Sequence, residues 1–245
     1  MHAGIGIGLH NIVHLILNLV FWFFYHFEFE MIERYKSNDL PWPWQEDREA
    51  WKALCLKSIA VLCFNGNIVV FAVLCAMERL GIADHHTMAV EDLPDTKTFV
   101  LTITFFMLVE DFGFYLSHRF LHWRVIYPHI HKMHHTHKIT VGIAGEYAHP
   151  LEYIFGNMLP TSVGPAVLGY KCHLVTIIAW YFIRFAENLD GHSGYEFSWS
   201  PYRLIPFSGS AEYHAFHHAV NVGNYGSFFS IWDTVFGTNK VFHEA

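Results

Sequence analysis

The chain has 245 residues, of which 53% are hydrophobic, 18% aromatic and only 15% charged. An ordinary soluble domain carries about 25% charged residues, so this composition suits a chain whose solvent is partly lipid rather than one dispersed by a charged surface. The formal net charge is −7 and there is no basic run, which excludes the clustered Lys and Arg that nucleic-acid binding rests on.

The first apolar stretch, Leu9 to Phe27, carries no Asp, Glu, Lys or Arg and is long enough to cross a bilayer as a helix. It is too long and too aromatic for a signal-peptide core, and no cleavage site follows, so it reads as a retained anchor. Gly4, Gly6 and Gly8 before it have the spacing of a nucleotide loop fragment, but no strand precedes them and no βαβ unit follows. Residues 28–52 are mixed in charge, and Trp42 and Trp44 stand among prolines as interface tryptophans do.

Ala53 to Met77 is the second span. Asn65, Gly66 and Asn67 interrupt it, which allows either a kinked helix or a tight re-entrant pair. An acidic loop, 78–97, leads to the third span, Thr98 to Ser117, with Glu110 and Asp111 near its end. Carboxylates at such a depth are costly and usually functional. Residues 118–150 are polar and rich in histidine, 151–169 and 172–186 form an apolar helical hairpin, and 187–245 is a turn-rich tail. These lengths divide the chain into an N-terminal membrane anchor, 1–97, and a domain, 98–245, holding the third span, the hairpin and the cap.

Sidedness follows from Lys and Arg. If 118–150 faces the cytosol, 28–52 does too, and that loop holds Arg34, Lys36, Arg48 and Lys52. The loop that would lie outside holds only Arg79 and Lys97. The hairpin enters and returns on one side, so all the histidine clusters share one face. Cys55, Cys63, Cys75 and Cys172 form no CxxC pair and read as buried reduced thiols without a disulfide framework.

The chain has 20 histidines, thirteen of them between His118 and His218. The first box is His118-Arg119-Phe120-Leu121-His122, the second His131-Lys132-Met133-His134-His135, the third His214-Ala215-Phe216-His217-His218. Offsets of three and four gather imidazoles on one helical face, and the adjacent pairs can serve two ions. Eight box histidines exceed what one ion needs once positions are left open for substrate, so two ions are the economical reading. Imidazole suits iron, copper and zinc alike.

Each ligating ring also needs an acceptor for its other nitrogen. Candidates are Asp111, two turns before His118, Glu146 and Glu152 flanking His149, and Asn188 and Asp190 beside His192. His149 and His192 are isolated histidines in polar settings, either of which would supply a ninth ligand. His129 and His137 fit box two poorly and are expected at the surface or behind the ligands. His10, His14, His26, His85, His86, His173 and His243 are expected far from the boxes, although His10 and His14 form an i,i+4 pair.

The boxes, in this order and with spans between them, resemble the fatty acid hydroxylase/sterol desaturase superfamily. The resemblance runs from about Thr98 to Gly237 and includes Glu110-Asp111, Tyr147-Ala148-His149-Pro150-Leu151-Glu152, Asn224-Tyr225-Gly226 and Trp232-Asp233. His192-Ser193-Gly194-Tyr195 and Leu204-Ile205-Pro206-Phe207 look most like the 4-methylsterol oxidases (methylsterol monooxygenases). The resemblance implies an all-α integral membrane protein with a four-helix-type anchor, capped by a cytosolic helical domain holding two irons. It adds the His192 counterpart to the ligands. It implies dioxygen as co-substrate and electrons from an NAD(P)H reductase and cytochrome b5, consistent with a chain that carries no dinucleotide motif.

The expected activity is hydroxylation or oxidation of a membrane lipid, a sterol first. Sterol desaturation and fatty acyl hydroxylation are alternatives, and a non-enzymatic metal carrier is a distant one. The family's residence is the endoplasmic reticulum, but Phe242-His243-Glu244-Ala245 lacks the dilysine retrieval signal often seen there.

Overall fold

The computed structural model describes residues 2–81 and 86–244; His85 lies outside the described residues. The described chain is helical, with only isolated bridges such as Lys36–Tyr195 and Ser208–Phe229. The long elements are α1 (His2–Phe27), α2 (Arg48–Arg79), α3 (Thr96–Leu121), α4 (150–168), α5 (Leu174–Gly191) and α6 (Ala211–Val220).

Local chemistry sets their ends. Asp47 Oδ1 accepts the backbone N–H groups of Glu49 and Ala50 at the start of α2, and Asp95 Oδ1 accepts that of Thr98 at the start of α3. Each cap satisfies donors that a helix start leaves free. Ser210 Oγ does the same for Tyr213 in α6, which ends at Asn221 in the left-handed conformation (φ 62°), a conformation asparagine tolerates.

Helices α1, α2 and α3 are long and apolar enough to cross a membrane. In the most apolar windows of α1 and α2 only 22% and 17% of residues are buried within the protein. Leu15, Ile16, Leu19 and Trp22 of α1 are more than half exposed. Lipid is the solvent that suits such surfaces, because a helix satisfies its own backbone there. Gly4, Gly6 and Gly8 are part of α1, not of a loop. The Asn65 region does not fold back: Phe64–Val69 is one π-helical turn within a continuous α2, so the kinked span is what forms. Of the four free cysteines only Cys172 is buried; Cys63 is exposed, so the expectation of four buried thiols fails on a helix whose outer face has no protein neighbour.

The hairpin forms, turning at Gly169 with φ 50°, a backbone that glycine adopts without steric cost. Its arms pack chiefly on the spans: α4 runs along α3 and α5 along α1. A Cβ at Gly164 would stand 2.6 Å from Phe106 Cδ1, so the absence of a side chain there permits the α3–α4 approach. Helix α5 continues to Gly191, past the expected end at 186. Glu187, Asn188 and Asp190 are therefore its last turn, not tail, and they deliver the chain to His192.

Trp42 corrects another expectation. It is 1% exposed, stacks on Trp44 at 5.0 Å and donates from Nε1 to Glu33 Oε2 at 2.9 Å. With Val13, Phe21, Leu189 and Tyr195 it forms a core rather than an interface belt. A second core joins Phe106, Ile177, Trp180 and Phe228. Between them, Tyr25 near the end of α1 accepts from Gly142 and donates to the Ser193 carbonyl, and Ser58 of α2 meets His137. The end of α1, the first half of α2 and the end of α3 thus lie on the side of the histidine-rich segments.

Candidate metal centre

The three boxes arrive from three kinds of local structure. His118 and His122 close the last turn of α3. His131, His134 and His135 lie on a tight 3-10 turn, His131–Thr136, and His214, His217 and His218 lie on α6. His192 follows the end of α5. The nine rings sort into two groups. His118, His122, His131, His135 and His217 bring one nitrogen each within 4.8 Å of one another, and His134, His192, His214 and His218 do the same. The adjacent pairs divide: His134 goes to one group and His135 to the other, and His217 and His218 likewise.

The hydrogen positions follow from the partners. His118 Nδ1 donates to the Tyr225 carbonyl at 3.0 Å, His217 Nδ1 to that of Gly223 at 2.6 Å, and His218 Nδ1 to that of His137 at 2.9 Å. His192 Nδ1 donates to the Asn188 carbonyl at 2.8 Å, and His131 Nδ1 to Glu152 Oε1 at 2.8 Å. The four carbonyl oxygens only accept, and the Glu152 carboxylate does so when ionised, so the Nδ1 atoms carry the protons and the neutral rings present lone pairs at Nε2.

The Nε2 atoms of the box rings and His192 converge. In the first group Nε2–Nε2 separations are 3.1 Å for His122–His217 and His131–His135, and 3.2 Å for His122–His135 and His135–His217. In the second they are 3.3 Å for His134–His192, 2.9 Å for His192–His214 and 3.1 Å for His214–His218. Ligands held at metal–nitrogen distances of about 2.0–2.1 Å stand roughly 2.9–3.4 Å apart along an octahedral or tetrahedral edge. The two sets fit a pair of metal ions by that measure, and His118 Nε2, buried and without a hydrogen bond, is a further donor of this kind.

Burial keeps the rings neutral. His192 is pushed down to about 3 by burial and by the neighbouring His134 ring, and His134 down to about 4, mainly by burial. His214, His217 and His218 lie well below the usual imidazole range for the same reasons.

The remaining candidates have other duties. Asp111 touches no imidazole: its Oδ1 accepts the backbone N–H groups of Ser227 and Phe229, tying α3 to the loop that carries Tyr225. Asn188 serves the site through its carbonyl on His192, while its side chain donates to Glu146 Oε1 at 3.0 Å. His149 Nδ1 accepts from the Leu151 N–H and caps the start of α4, and it belongs to neither group of rings. Glu152 is the carboxylate of this segment that meets a box ring. His129 is exposed, but His137 is 2% exposed, its Nε2 3.0 Å from Ser58 Oγ. It acts through its backbone oxygen.

His10 and His14 are not remote: both contact Glu146. The isolated pair in α1 gave a signal that only the fold connects to the site. Arg184 stands within an apolar stretch and belongs to no box of the sequence. It pairs with Glu110 at 2.6 Å and Glu187 at 2.9 Å, all buried, and Glu187 accepts from Ser227 Oγ.

A cavity of about 300 Å³ opens among α1, α2, α4 and α5, lined mostly by apolar residues such as Ile7, Leu74, Ile177 and Phe185. Its polar part is formed by groups including His10, Glu146, Arg184 and Asn188. Arg184 and Asn188 also border a recess of about 20 Å³ that touches His192 and His214.

The sequence profile named Fatty acid hydroxylase matches residues 103–238, a stretch that contains every box and His192. Very-long-chain aldehyde decarbonylase GL1-8 of Oryza sativa subsp. indica is 42% identical over 151 residues, 60% of this chain and 55% of that protein. Methylsterol monooxygenase 2-2 of Arabidopsis thaliana is 40% identical over 151 residues, 60% of this chain and 56% of that protein. Methylsterol monooxygenase erg25A of Aspergillus fumigatus is 40% identical over 149 residues, 59% of this chain and 49% of that protein. The chain thus spans about half the length of the curated relatives it matches. No solved structure matches it.

Proposed function

The chain belongs to the fatty acid hydroxylase family, and from that premise we propose that it is a membrane-bound di-iron oxygenase acting on a lipid, a 4-methylsterol first. The observation that carries this reading is the convergence of imidazole lone pairs in two sets, beside an apolar cavity among membrane-length helices. His118, His122, His131, His135 and His217 would hold one iron, and His134, His192, His214 and His218 the other. When bound, the metals supply the dioxygen and one-electron chemistry that side chains lack.

The protein's own part is to hold, exclude and orient. Backbone oxygens of Tyr225, Gly223, His137 and Asn188, with the Glu152 carboxylate, fix five rings by their Nδ1 protons. Such partners orient the rings and raise their basicity. The cavity takes the lipid's apolar body from the membrane and keeps water from the reacting carbon. Arg184, neutralised by Glu110 and Glu187, holds the wall between cavity and rings. Two membrane units, 1–97 and 98–245, share the work, the first closing the cavity with α1 and α2. The helical hairpin, α4 and α5, supplies the further depth of a four-helix-type anchor.

The Lys and Arg bias of residues 28–52 supports a site facing the cytosol, and the sterol-metabolising relatives support the endoplasmic reticulum. Electrons would come from cytochrome b5 and an NAD(P)H reductase. Expression in a sterol-auxotrophic yeast lacking its 4-methyl oxidase tests the substrate class: rescue by the wild type and not by His134→Ala is the expected result. The 42% identity to a protein named for very-long-chain aldehydes favours a second reading, a straight-chain aldehyde substrate. Loss of added fatty aldehyde from the same cells without sterol rescue would select it.

A further inference from the structure

Outside the boxes, one more group of donors is drawn together. His10 and His14 of α1 and Glu146 bring one ligand atom each within 4.8 Å of one another, and all three are buried. His14 Nδ1 stands 2.8 Å from the His10 carbonyl. A carbonyl only accepts, so Nδ1 carries the proton and Nε2 of the neutral ring presents a lone pair. That lone pair faces Glu146 Oε1 at 3.3 Å and makes no hydrogen bond, with His14 1% exposed. His10 Nε2 faces the other carboxylate oxygen, Oε2, at 3.5 Å. His10 Nε2 is within hydrogen-bond reach of Oε2, but at His14 acceptor faces acceptor, which in a dry site is repulsive unless positive charge lies between them.

The surroundings are arranged for these rings. The π-helical turn Phe64–Val69 sets Gly66 against His10, where a Cβ would stand 2.4 Å from the ring. A second π-helical turn, Tyr153–Met158, brings the Tyr153 hydroxyl to 3.4 Å from His10 Nε2. Such turns within helices are frequent at functional sites. Asn188 Nδ2 donates to Glu146 Oε1 and fixes the carboxylate. His10, Glu146 and Tyr153 also line the 300 Å³ cavity.

We propose that His10, His14 and Glu146 form a third metal site, taking a divalent transition-metal ion such as Zn²⁺ at the polar side of the lipid cavity. Two imidazoles and a carboxylate are a zinc donor set; the His14 Nε2–Glu146 Oε1 separation of 3.3 Å is close to the roughly 3.3–3.4 Å edge of a tetrahedron at zinc's bond lengths, and one atom from each of the three residues lies within 4.8 Å of the others. Three protein donors leave a position for an oxygen function of a bound lipid. The site pins α1 to the segment that precedes α4, and so closes the cavity from the N-terminal side. It goes beyond the oxygenase reading and stands whatever the box rings hold.

The test is metal content per chain by plasma mass spectrometry, on full-length protein in detergent incubated with Zn²⁺ and desalted. The wild type is expected to hold one ion more than His14→Ala and one more than His14→Phe, which keeps ring volume without a donor. The box variant His217→Ala is expected to keep this ion while losing metal elsewhere, which separates the two sites. Equal metal in the wild type and both His14 variants overturns the proposal, and a proton-sharing His–Glu network then remains. Should both variants fail to fold, anomalous scattering at the zinc edge from the wild type decides. A peak between His10, His14 and Glu146 supports the site; none there, with the box sites filled, overturns it.

Discussion

Glu152→Ala is the sharpest probe of the ring-holding scheme. Glu152 is 4% exposed and His131 2%, and Glu152 Oε1 is the partner of the His131 Nδ1 proton at 2.8 Å. Truncation leaves that N–H buried without an acceptor, a cost of about 1–3 kcal/mol. It also releases the ring to turn its Nε2 away from His135, now 3.1 Å distant. Loss of such an outer partner weakens metal binding by roughly 10–100-fold, about 1.4–2.8 kcal/mol at 25 °C, in line with the unsatisfied-donor cost. The assay is metal retention against a graded chelator, with Glu152→Gln as the conservative partner. The amide oxygen of Gln can still accept from Nδ1, so Gln is expected to recover most of the affinity. Retention in Glu152→Ala equal to that of the wild type would refute the idea that this carboxylate holds the ring. Equal losses in Ala and Gln would show that its charge, not its acceptor, is what matters.

Arg184→Met leaves Glu110 and Glu187 facing each other without a cation, and breaking a buried pair in this way costs about 3–5 kcal/mol. The thermal midpoint of the detergent-solubilised protein should fall sharply, and Arg184→Met with Glu110→Gln and Glu187→Gln should recover most of it. Metal-free protein should lose stability in acid. His192 and His134 have folded values near 3 and 4, below the unfolded value of about 6.5. Above pH 6.5 both states are neutral and stability is full. Between pH 6.5 and about 3–4 only the unfolded chain takes the proton, at about 1.4 kcal/mol per pH unit per group. Denaturant midpoints measured from pH 7.5 to 4.5 should therefore decline, and a flat profile would contradict buried neutral rings. Gly164→Leu should disrupt the α3–α4 packing at Phe106, read as a lowered midpoint and loss of the rescue described above.

The box histidines were legible because their spacing is local. Offsets of three and four bring rings to one side of a tight helical turn; His131 and His135, four apart, meet in one group and His134 turns to the other, although their segment is 3-10 rather than α. The partners of those rings were not legible, because most are backbone carbonyls. Tyr225, Gly223 and His137 contribute oxygens that every residue type has, and only tertiary structure selects them. Asp111 illustrates the converse: its place two turns before His118 was readable, but its carboxylate is spent on two backbone N–H groups of the 227–229 loop. The spans were read from apolar length, whereas the last turn of α5 was missed because Glu187, Asn188 and Asp190 are polar. They are polar because that turn leaves the apolar hairpin and faces Arg184, Glu146 and Arg203.

On the proposed reading, the same geometry would make metal loading a part of folding. Nine rings share two small, largely buried volumes, and at least five present lone pairs there because their Nδ1 protons are committed to oxygens. Without cations those lone pairs repel, and protonating the rings instead would bury like charges against one another. Neither alternative is cheap, so metals bound there would return energy that the apo fold lacks. Helix α5, which ends at His192, also lines the cavity, and α3, which carries the first box, packs along the cavity-lining α4. A chain that gathers its imidazoles thereby seats the cavity wall, and Asn188 joins the two events, its carbonyl on His192 and its side chain on the Glu146 carboxylate beside His10 and His14.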